Sequence, residues 1–259
     1  YILGIKMSEN IPDWEFADIG FLILDEAHIA MEAAFTQVLL KFQPLYLLGL
    51  SATPDRLSGK HKLMMPFFGH HKYYIKRKEK KEYVVVKVQT QFHGEERDRI
   101  FQGRPRLDTV HLVSSLSKIV ERQEEIASIV ESEPERYIMV ISDRVEELKG
   151  IHKALIDRGL EDEIETFWGS KDQKKADFDK RIILAGLKKA GTGVDDPKRN
   201  MMVLCTTMKD VRQVEGRLRT DNCIVYDFVD ANRICETHWK TRSSWYRQKG
   251  ATINVMECE

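Results

Sequence analysis

Cysteine is scarce in this chain: four in 259 residues, at Cys205, Cys223, Cys235 and Cys258, with no CxxC pair. Such spacing argues against a zinc ribbon and against a redox CxxC. Two of the four, Cys205 and Cys223, lie in apolar strand-like runs, so reduced, buried thiols of an intracellular protein are expected. Long apolar runs are missing as well. None approaches the ~20 residues that a membrane span requires, and the start carries no signal-peptide pattern. There is no excess of charge of either sign. Lys+Arg and Asp+Glu both number 41, so any basic surface must be local. Repeats and low-complexity segments are absent. The chain opens on Tyr1 in the middle of a pattern, which reads as a fragment of a longer protein.

What is present is a well-charged composition, 42% hydrophobic and 32% charged, long enough for one large or two ordinary domains. Strand-like runs alternate with helix-like stretches. Phe21–Leu24 is apolar at every position, the pattern of a strand buried on both faces of a parallel sheet. Ile29–Lys41 reads as a helix with Met31, Phe35, Val38 and Leu39 on one face. Pro44 ends it, and Leu45–Leu50 is the next strand, a β-α-β unit of the length a parallel crossover needs. A basic stretch, Lys72–Lys81, reads as a solvated linker. The domain junction is placed near residue 82, giving segments 1–82 and 83–259.

The second segment repeats the alternation. Tyr83–Phe92 is β-like, Gly94–Pro105 is polar and loop-like, and His111–Val130 is helical. Tyr137–Ser142 is a strand, followed by a helix over Val145–Leu155. Further strands are expected over Arg181–Ala185, Met201–Cys205 and Ile224–Phe228. A terminal helix spans Asn232–Gln248, with its aromatics read as packing, and Thr252–Met256 is a last strand. The expected fold class is α/β, two parallel-sheet domains in tandem.

Two short motifs carry chemistry. Asp25-Glu26-Ala27-His28 follows the first strand, at the carboxyl end where open α/β sheets bind ligands. Adjacent carboxylates there point to opposite sides, so one can hold a magnesium ion and the other can handle a water. A competing reading makes them caps of the following helix, which leaves the second carboxylate unexplained. Ser51-Ala52-Thr53-Pro54 follows the next strand in the same way.

Together these resemble motifs II and III of the superfamily 2 helicases, and the remaining motifs follow in order. Ile138–Leu148 resembles motif IV, Ile183–Pro197 motif V, and Gln213–Arg219 motif VI, usually written QxxGRxxR. The wording is most similar to the group containing the xeroderma pigmentosum B helicase, phage recombination helicases and the transcript-release helicases of large DNA viruses. The resemblance implies two tandem RecA-like domains, the first incomplete here, with ATP and Mg2+ as cofactors. It implies a nucleic-acid partner, DNA ahead of RNA, as a single strand or duplex junction. It further implies a monomeric motor without membrane association, working inside a cell or at a viral replication site.

Residue roles follow from the same resemblance. Phosphoryl transfer to water needs a metal, an oriented water and positive charge on the developing oxyanions. Asp25 is assigned to magnesium and Glu26 to the attacking water as general base. His28 is assigned to linking the nucleotide site with the facing domain, and Ser51 and Thr53 to coupling. Arg217 and Arg219 are candidates for the arginine finger, since a guanidinium stays charged and meets phosphate bidentately. Gln213 takes the γ-phosphate side, and Gly193 with Asp195 the nucleotide. Ser142, Arg144, Gly186, Lys188, Lys189 and Thr192 are candidates for backbone contacts to nucleic acid, which track a strand without reading its sequence. For Lys188 and Lys189 a solvated turn is an equal reading.

Three departures stand out. Position 220 is Thr where the family has its second arginine, and Arg219 comes one residue early, a turn of ~100° on a helix. Thr192 stands where relatives carry Glu or Arg. The phosphate loop GxxxxGK[ST] is nowhere in the 259 residues; the nearest candidate, Ser58-Gly59-Lys60-His61, has the wrong residues at both ends. An ATP hydrolase in the complete protein, with this chain alone inactive, is therefore expected. The alternative is an inactive nucleic-acid-binding or scaffolding module with a decayed ATPase site.

Overall fold

A computed structural model describes residues 10–27, 36–37, 39–51, 62, 64–73, 75, 82–193 and 196–258, with the side chains of 192 and 193 left aside. The chain divides into two compact units, Tyr1–Arg77 and Lys78–Glu259.

In the first unit, Phe21–Leu24 (β1) and Tyr46–Gly49 (β2) pair in parallel, Phe21 opposite Tyr46. Residues 36, 37 and 39 are helical; the rest of the helix expected over Ile29–Lys41 lies largely outside the described residues. A short helix, Met64–Phe68 (α1), joins Leu24 and Leu39 in a small apolar cluster through Met64, Phe67 and Phe68. The expectation that β1 is buried on both faces is corrected here. Phe21 and Ile23 are 54% and 52% exposed, whereas Leu22 and Leu24 are partly covered. Among the described residues β1 has only β2 beside it, so one face of this ribbon carries no packing layer.

The second unit is built on seven strands, all parallel. They are Glu82–Gln89 (β3), Ile138–Ser142 (β6), Ile164–Phe167 (β7), Ile182–Gly186 (β8), Met201–Leu204 (β9), Asn222–Val229 (β10) and Thr252–Glu257 (β11). Their spatial order is β11-β3-β10-β9-β6-β8-β7. A separate antiparallel hairpin, Asp98–Phe101 (β4) with Arg104–Leu107 (β5), stands between β3 and the first helix. The helices are Thr109–Leu116 (α2), Val120–Glu131 (α3), Val145–Asp157 (α4), Leu187–Gly193 (α5), Arg212–Glu215 (α6) and Arg233–Gln248 (α7).

The central strands are buried because they are apolar at both parities. Met139 and Ile141 enter one core layer, Ile138 and Val140 the other; Ile183 and Ala185 oppose Ile182 and Leu184 likewise, as do Met202 and Leu204 with Met201 and Val203. Each fully buried aliphatic side chain of this kind contributes ~1.5–3 kcal/mol. The helices pack closely against the layers. A Cβ on Gly150 of α4 would lie 1.9 Å from the Gln123 amide oxygen of α3, so glycine leaves room for the Gln123 side chain in this rotamer.

Three elements differ from the sequence expectations. The helix expected over His111–Val130 is two helices, broken at 117–119. There the Ser115 hydroxyl donates to the Leu112 carbonyl and the Ser117 hydroxyl to the Ser114 carbonyl, local bonds that compete with helix propagation. The stretch Gly94–Pro105, expected as loop, contains the β4–β5 hairpin. Its turn is Gln102-Gly103, both at positive φ (49° and 75°), the two-residue geometry that matches strand twist. Strand β7, at the sheet edge, was not anticipated.

The carboxyl ends of four adjacent strands are tied together by one buried arginine. Arg122 of α3, 1% exposed, donates from Nε to Asp230 Oδ1 at 2.8 Å and from Nη2 to Asp230 Oδ2 at 3.1 Å. It also donates to Glu147 and to the Cys205 carbonyl. Asp230 follows β10, Cys205 follows β9, and Ser142 ends β6 with its hydroxyl on Glu147. Thr90, after β3, donates to Asp230 Oδ1 at 3.0 Å. One guanidinium thus serves two buried carboxylates. Burial opposes the Arg122 charge, but Asp230 and Glu147 outweigh it and hold the group protonated; burial in turn pushes the Glu147 carboxyl up.

Removing one partner of a buried ion pair costs about 3–5 kcal/mol, because the other is left uncompensated. Arg122→Met is expected to lower the unfolding free energy of the second unit by that amount, read as a fall in its urea midpoint. Glu147→Gln, which keeps an acceptor oxygen for Arg122 and leaves Asp230 paired with it, should cost far less. Equal midpoints for wild type and Arg122→Met would remove the network's structural role.

Candidate nucleotide and nucleic-acid site

In the first unit the two motif segments are neighbours. The Leu50 amide donates to the Leu24 carbonyl at 2.8 Å, and the Ala27 amide donates to the Leu50 carbonyl at 2.8 Å. Asp25-Glu26 after β1 and Ser51 after β2 therefore sit at the same sheet end. Close packing beneath them needs glycine at position 49, where a Cβ would meet the Phe68 ring at 2.8 Å and the Ala27 Cβ at 3.0 Å. The Asp25 Oδ1 accepts the Glu26 amide at 2.9 Å. Glu26 itself has φ of 48°, a left-handed conformation that costs a non-glycine residue ~1–2 kcal/mol. Such strain is retained where the surrounding structure over-determines it, here through the Ala27–Leu50–Leu24 backbone ladder. Asp25 is exposed, and Glu26 and Ser51 are half-buried. His28 and Thr53 lie outside the described residues.

In the second unit, motifs V and VI converge on one carbonyl. Gly191 of α5 accepts from Gln213 Nε2 at 3.4 Å and from Arg217 Nη2. A Cβ at position 191 would lie 3.2 Å from the Gln213 amide carbon, so glycine lets the two motifs meet. Helix α6 ends at Glu215 with Gly216 as its cap, and Arg217 and Arg219 lie beyond it. The helical geometry that set Arg219 out of phase does not apply there. Arg217 is half-buried and Arg219 is exposed. Arg212 is held by Asp210, Nε to Oδ1 at 2.9 Å, and lies over the Trp245 ring at 5.7 Å.

The remaining candidates are spread along the strand ends of this unit. Ser142 is fully buried, its hydroxyl donating to Glu147 and accepting the Arg144 amide at 2.9 Å. Its side chain shapes the loop rather than lying at the surface. Arg144 reaches the Val110 carbonyl at 3.0 Å, joining that loop to the first turn of α2. Lys189 donates to the Lys171 carbonyl and lies 4.7 Å from the Phe167 ring centroid, whereas Lys188 is exposed. Gly186 ends β8 and is half-buried. Thr192 and Gly193 close α5, and Asp195 lies outside the described residues.

Arg122, Glu147 and Asp230 were not singled out from sequence, although they set the strand ends on which these loops stand. A signal for Arg122 existed. It occupies a place on the apolar stripe of α3, four residues before the buried Ile126 and eight before Val130, where an arginine must find buried partners. Trp239 and Tyr246, read as packing, are buried, and the Tyr246 hydroxyl donates to Asp227 at 3.0 Å.

An α/β unit with an all-parallel sheet and motif loops at its strand ends has a RecA-like fold, and solved structures agree. A fragment of an inferred HsdR subunit of a type I restriction enzyme from Vibrio vulnificus YJ016 matches 97% of this chain and 50% of its own, with 14% identity and a TM-score of 0.61. Dbp5 of S. cerevisiae, solved with RNA and ADP BeF3, matches 93% of this chain and 60% of its own, with 9% identity and a TM-score of 0.59. At these identities the likeness is one of fold. The family model for the type III restriction enzyme, res subunit, matches residues 7–56. An inferred helicase of Frog virus 3 (isolate Goorha) is 30% identical over 239 residues, 92% of this chain and 54% of the relative. An inferred helicase of Invertebrate iridescent virus 6 is 28% identical over 269 residues, 94% of this chain and 59% of the relative. The chain is thus similar to viral helicases over nearly all of its length. It spans just over half the length of these two viral relatives, 54% and 59%.

Gly191→Val places a branched side chain in the space of the Gln213 amide. Overpacking of this kind costs about 1–3 kcal/mol, and a matching fall in the urea midpoint of the chain is expected. An unchanged midpoint would show that motifs V and VI do not pack there.

Proposed function

We propose that this chain is the catalytic-carboxylate and arginine portion of an ATP-dependent helicase or translocase that moves on nucleic acid, with DNA ahead of RNA. The observation that carries the reading is the joint hold of Gln213 and Arg217 on the Gly191 carbonyl. It links the nucleotide-side motif to the α5 loop assigned to nucleic acid, so a change at Arg217 is mechanically connected to Lys188, Lys189 and Thr192. Similarity to viral helicases over nearly the whole chain supports the class. Hydrolysis, unwinding and the choice of nucleic acid belong to the proposal.

The residues present suit ATP with magnesium. Magnesium is held through one or two carboxylates with water and substrate phosphates rather than by an all-protein cage. An exposed Asp25 beside a half-buried Glu26 at a strand end provides that donor set. The chemistry supplied when both are bound is phosphoryl transfer to water. Asp25 would hold the metal and Glu26 would orient the water and take its proton. Arg217 would supply fixed positive charge, with Gln213 beside it. Arg219 is a second cation for the same purpose, and His28, Thr53, Gly193 and Asp195 keep the roles the motifs imply. The segments 1–82 and 83–259 are proposed as the carboxyl-proximal part of the RecA-like ATP-binding domain and the RecA-like helicase C-terminal domain.

The test is Glu26→Gln in the complete protein. Hydrolysis is expected to fall to background while ATP binding, read by equilibrium dialysis, stays within a fewfold of wild type. Turnover at the wild-type rate would remove the role given to Glu26, and loss of binding as well would make the carboxylate a structural rather than a chemical group.

A further inference from the structure

The hairpin β4–β5 segregates its residues by face. Its register places Arg99 opposite Arg106 and Phe101 opposite Arg104, with Asp98 opposite Leu107 and Ile100 opposite Pro105. Because side chains alternate along a strand and directly paired residues share a face, one face carries Arg99, Arg104, Arg106 and Phe101. The other carries Asp98, Ile100, Pro105 and Leu107. The Arg106 guanidinium lies 5.0 Å from the Phe101 ring centroid, which fits their common side. Residues 98–106 are all exposed, Phe101 at 52%.

Three features of this face need an explanation. Like charges directly opposite each other destabilise an antiparallel pair, and Arg99 faces Arg106. Among the described residues Arg99, Arg104 and Arg106 make no direct ion pair, and the carboxylate that feels Arg99, Asp108, is already bonded to Arg97. An aromatic ring stands exposed among them, with a guanidinium on it. A hairpin selected only for folding would not keep this arrangement. An anionic ligand with flat groups explains all three, since phosphates relieve the arginine repulsion and a base stacks on the ring.

The mount is rigid. Asn232, 6% exposed, accepts the Gly94 amide at 2.9 Å and donates to Glu96 at 2.8 Å. At the hairpin base, Arg97 pairs with Asp108 at 3.1 Å, and Asp108 caps α2 by accepting the His111 amide at 3.1 Å. The hairpin follows the carboxyl end of β3. It therefore rises from the same sheet end as the 142–144 loop, whose Arg144 bonds to Val110 of α2.

We infer that the Arg99–Phe101–Arg104–Arg106 face of this hairpin binds single-stranded nucleic acid, the arginines on successive phosphates and Phe101 stacked on a base. The inference deepens the nucleic-acid reading above and rests on it. It adds a binding surface outside every motif of the sequence. Stacking on a ring tolerates any base, and arginine contacts to phosphate do too, so the surface grips without sequence preference.

The test is fluorescence anisotropy of the chain with a labelled oligo(dT), across a range of salt. Phe101→Ala is expected to weaken binding roughly 5- to 150-fold, the range of one lost base stack, with the salt slope unchanged. Phe101→Trp should restore affinity and show tryptophan quenching on binding. Replacing Arg99, Arg104 and Arg106 together by Gln should reduce the salt slope by about 2, near 0.7 for each phosphate contact on a single strand. Circular dichroism of each variant confirms folding, which these exposed positions should leave intact. If wild type binds and the folded variants bind with the same affinity and slope, the hairpin inference is overturned, the motor reading survives, and the face is one for a protein partner. If wild type itself does not bind, the nucleic-acid reading fails together with the hairpin.

Discussion

Arg122 is the point on which the second unit depends. A parallel sheet buried on both faces exposes its strand ends to no natural closure, and loops leaving those ends would be free to splay. A single guanidinium, buried between α3 and the sheet, bonds to groups that follow β10 and β9 and, through Glu147, to the end of β6. Thr90 brings in the end of β3. The cost of burying this charge is offset by partners from separate elements, Asp230 after β10, the Cys205 carbonyl after β9 and Glu147 of α4, so the charge is satisfied only when those elements are in place. Local charge satisfaction and global topology are thus the same condition.

The candidate site inherits its geometry from that closure. Ser142 spends its hydroxyl on Glu147 and on the Arg144 amide, so the loop after β6 is held in one shape. Helix α5, which follows β8 directly, is held differently, by Gln213 and Arg217 on the Gly191 carbonyl. In the first unit the corresponding device is a backbone ladder, Leu24 to Leu50 to Ala27, which forces Glu26 to positive φ. Strain is thus concentrated at the carboxylate proposed to carry the chemistry.

Much of this was legible in the sequence. Ile138–Val140, Ile182–Leu184 and Met201–Leu204 announced buried parallel strands because they are apolar at both parities, and the structure buries them completely. Motif order carried the likeness to helicases before any geometry, and the viral relatives share it. The hairpin at Asp98–Leu107 was missed because its outward faces are arginine, aspartate and proline, which read as loop; its signal was the Gln102-Gly103 turn. The break at Ser117 was missed because apolar periodicity continues across it, while the serine hydroxyls that end the helix act through bonds that periodicity does not register. Arg122 was missed because composition treats arginine as surface. The burial of β1 was overstated, since an apolar run states what a strand can bury and not which layers are there to bury it.

The account holds that these motifs form a nucleic-acid-driven ATPase, and the most direct measurement is the rate of ATP hydrolysis by the complete protein with and without single-stranded oligonucleotide. The expected result is a slow rate for the protein alone that rises severalfold with the oligonucleotide. An absent rate, or one indifferent to nucleic acid, would contradict the account.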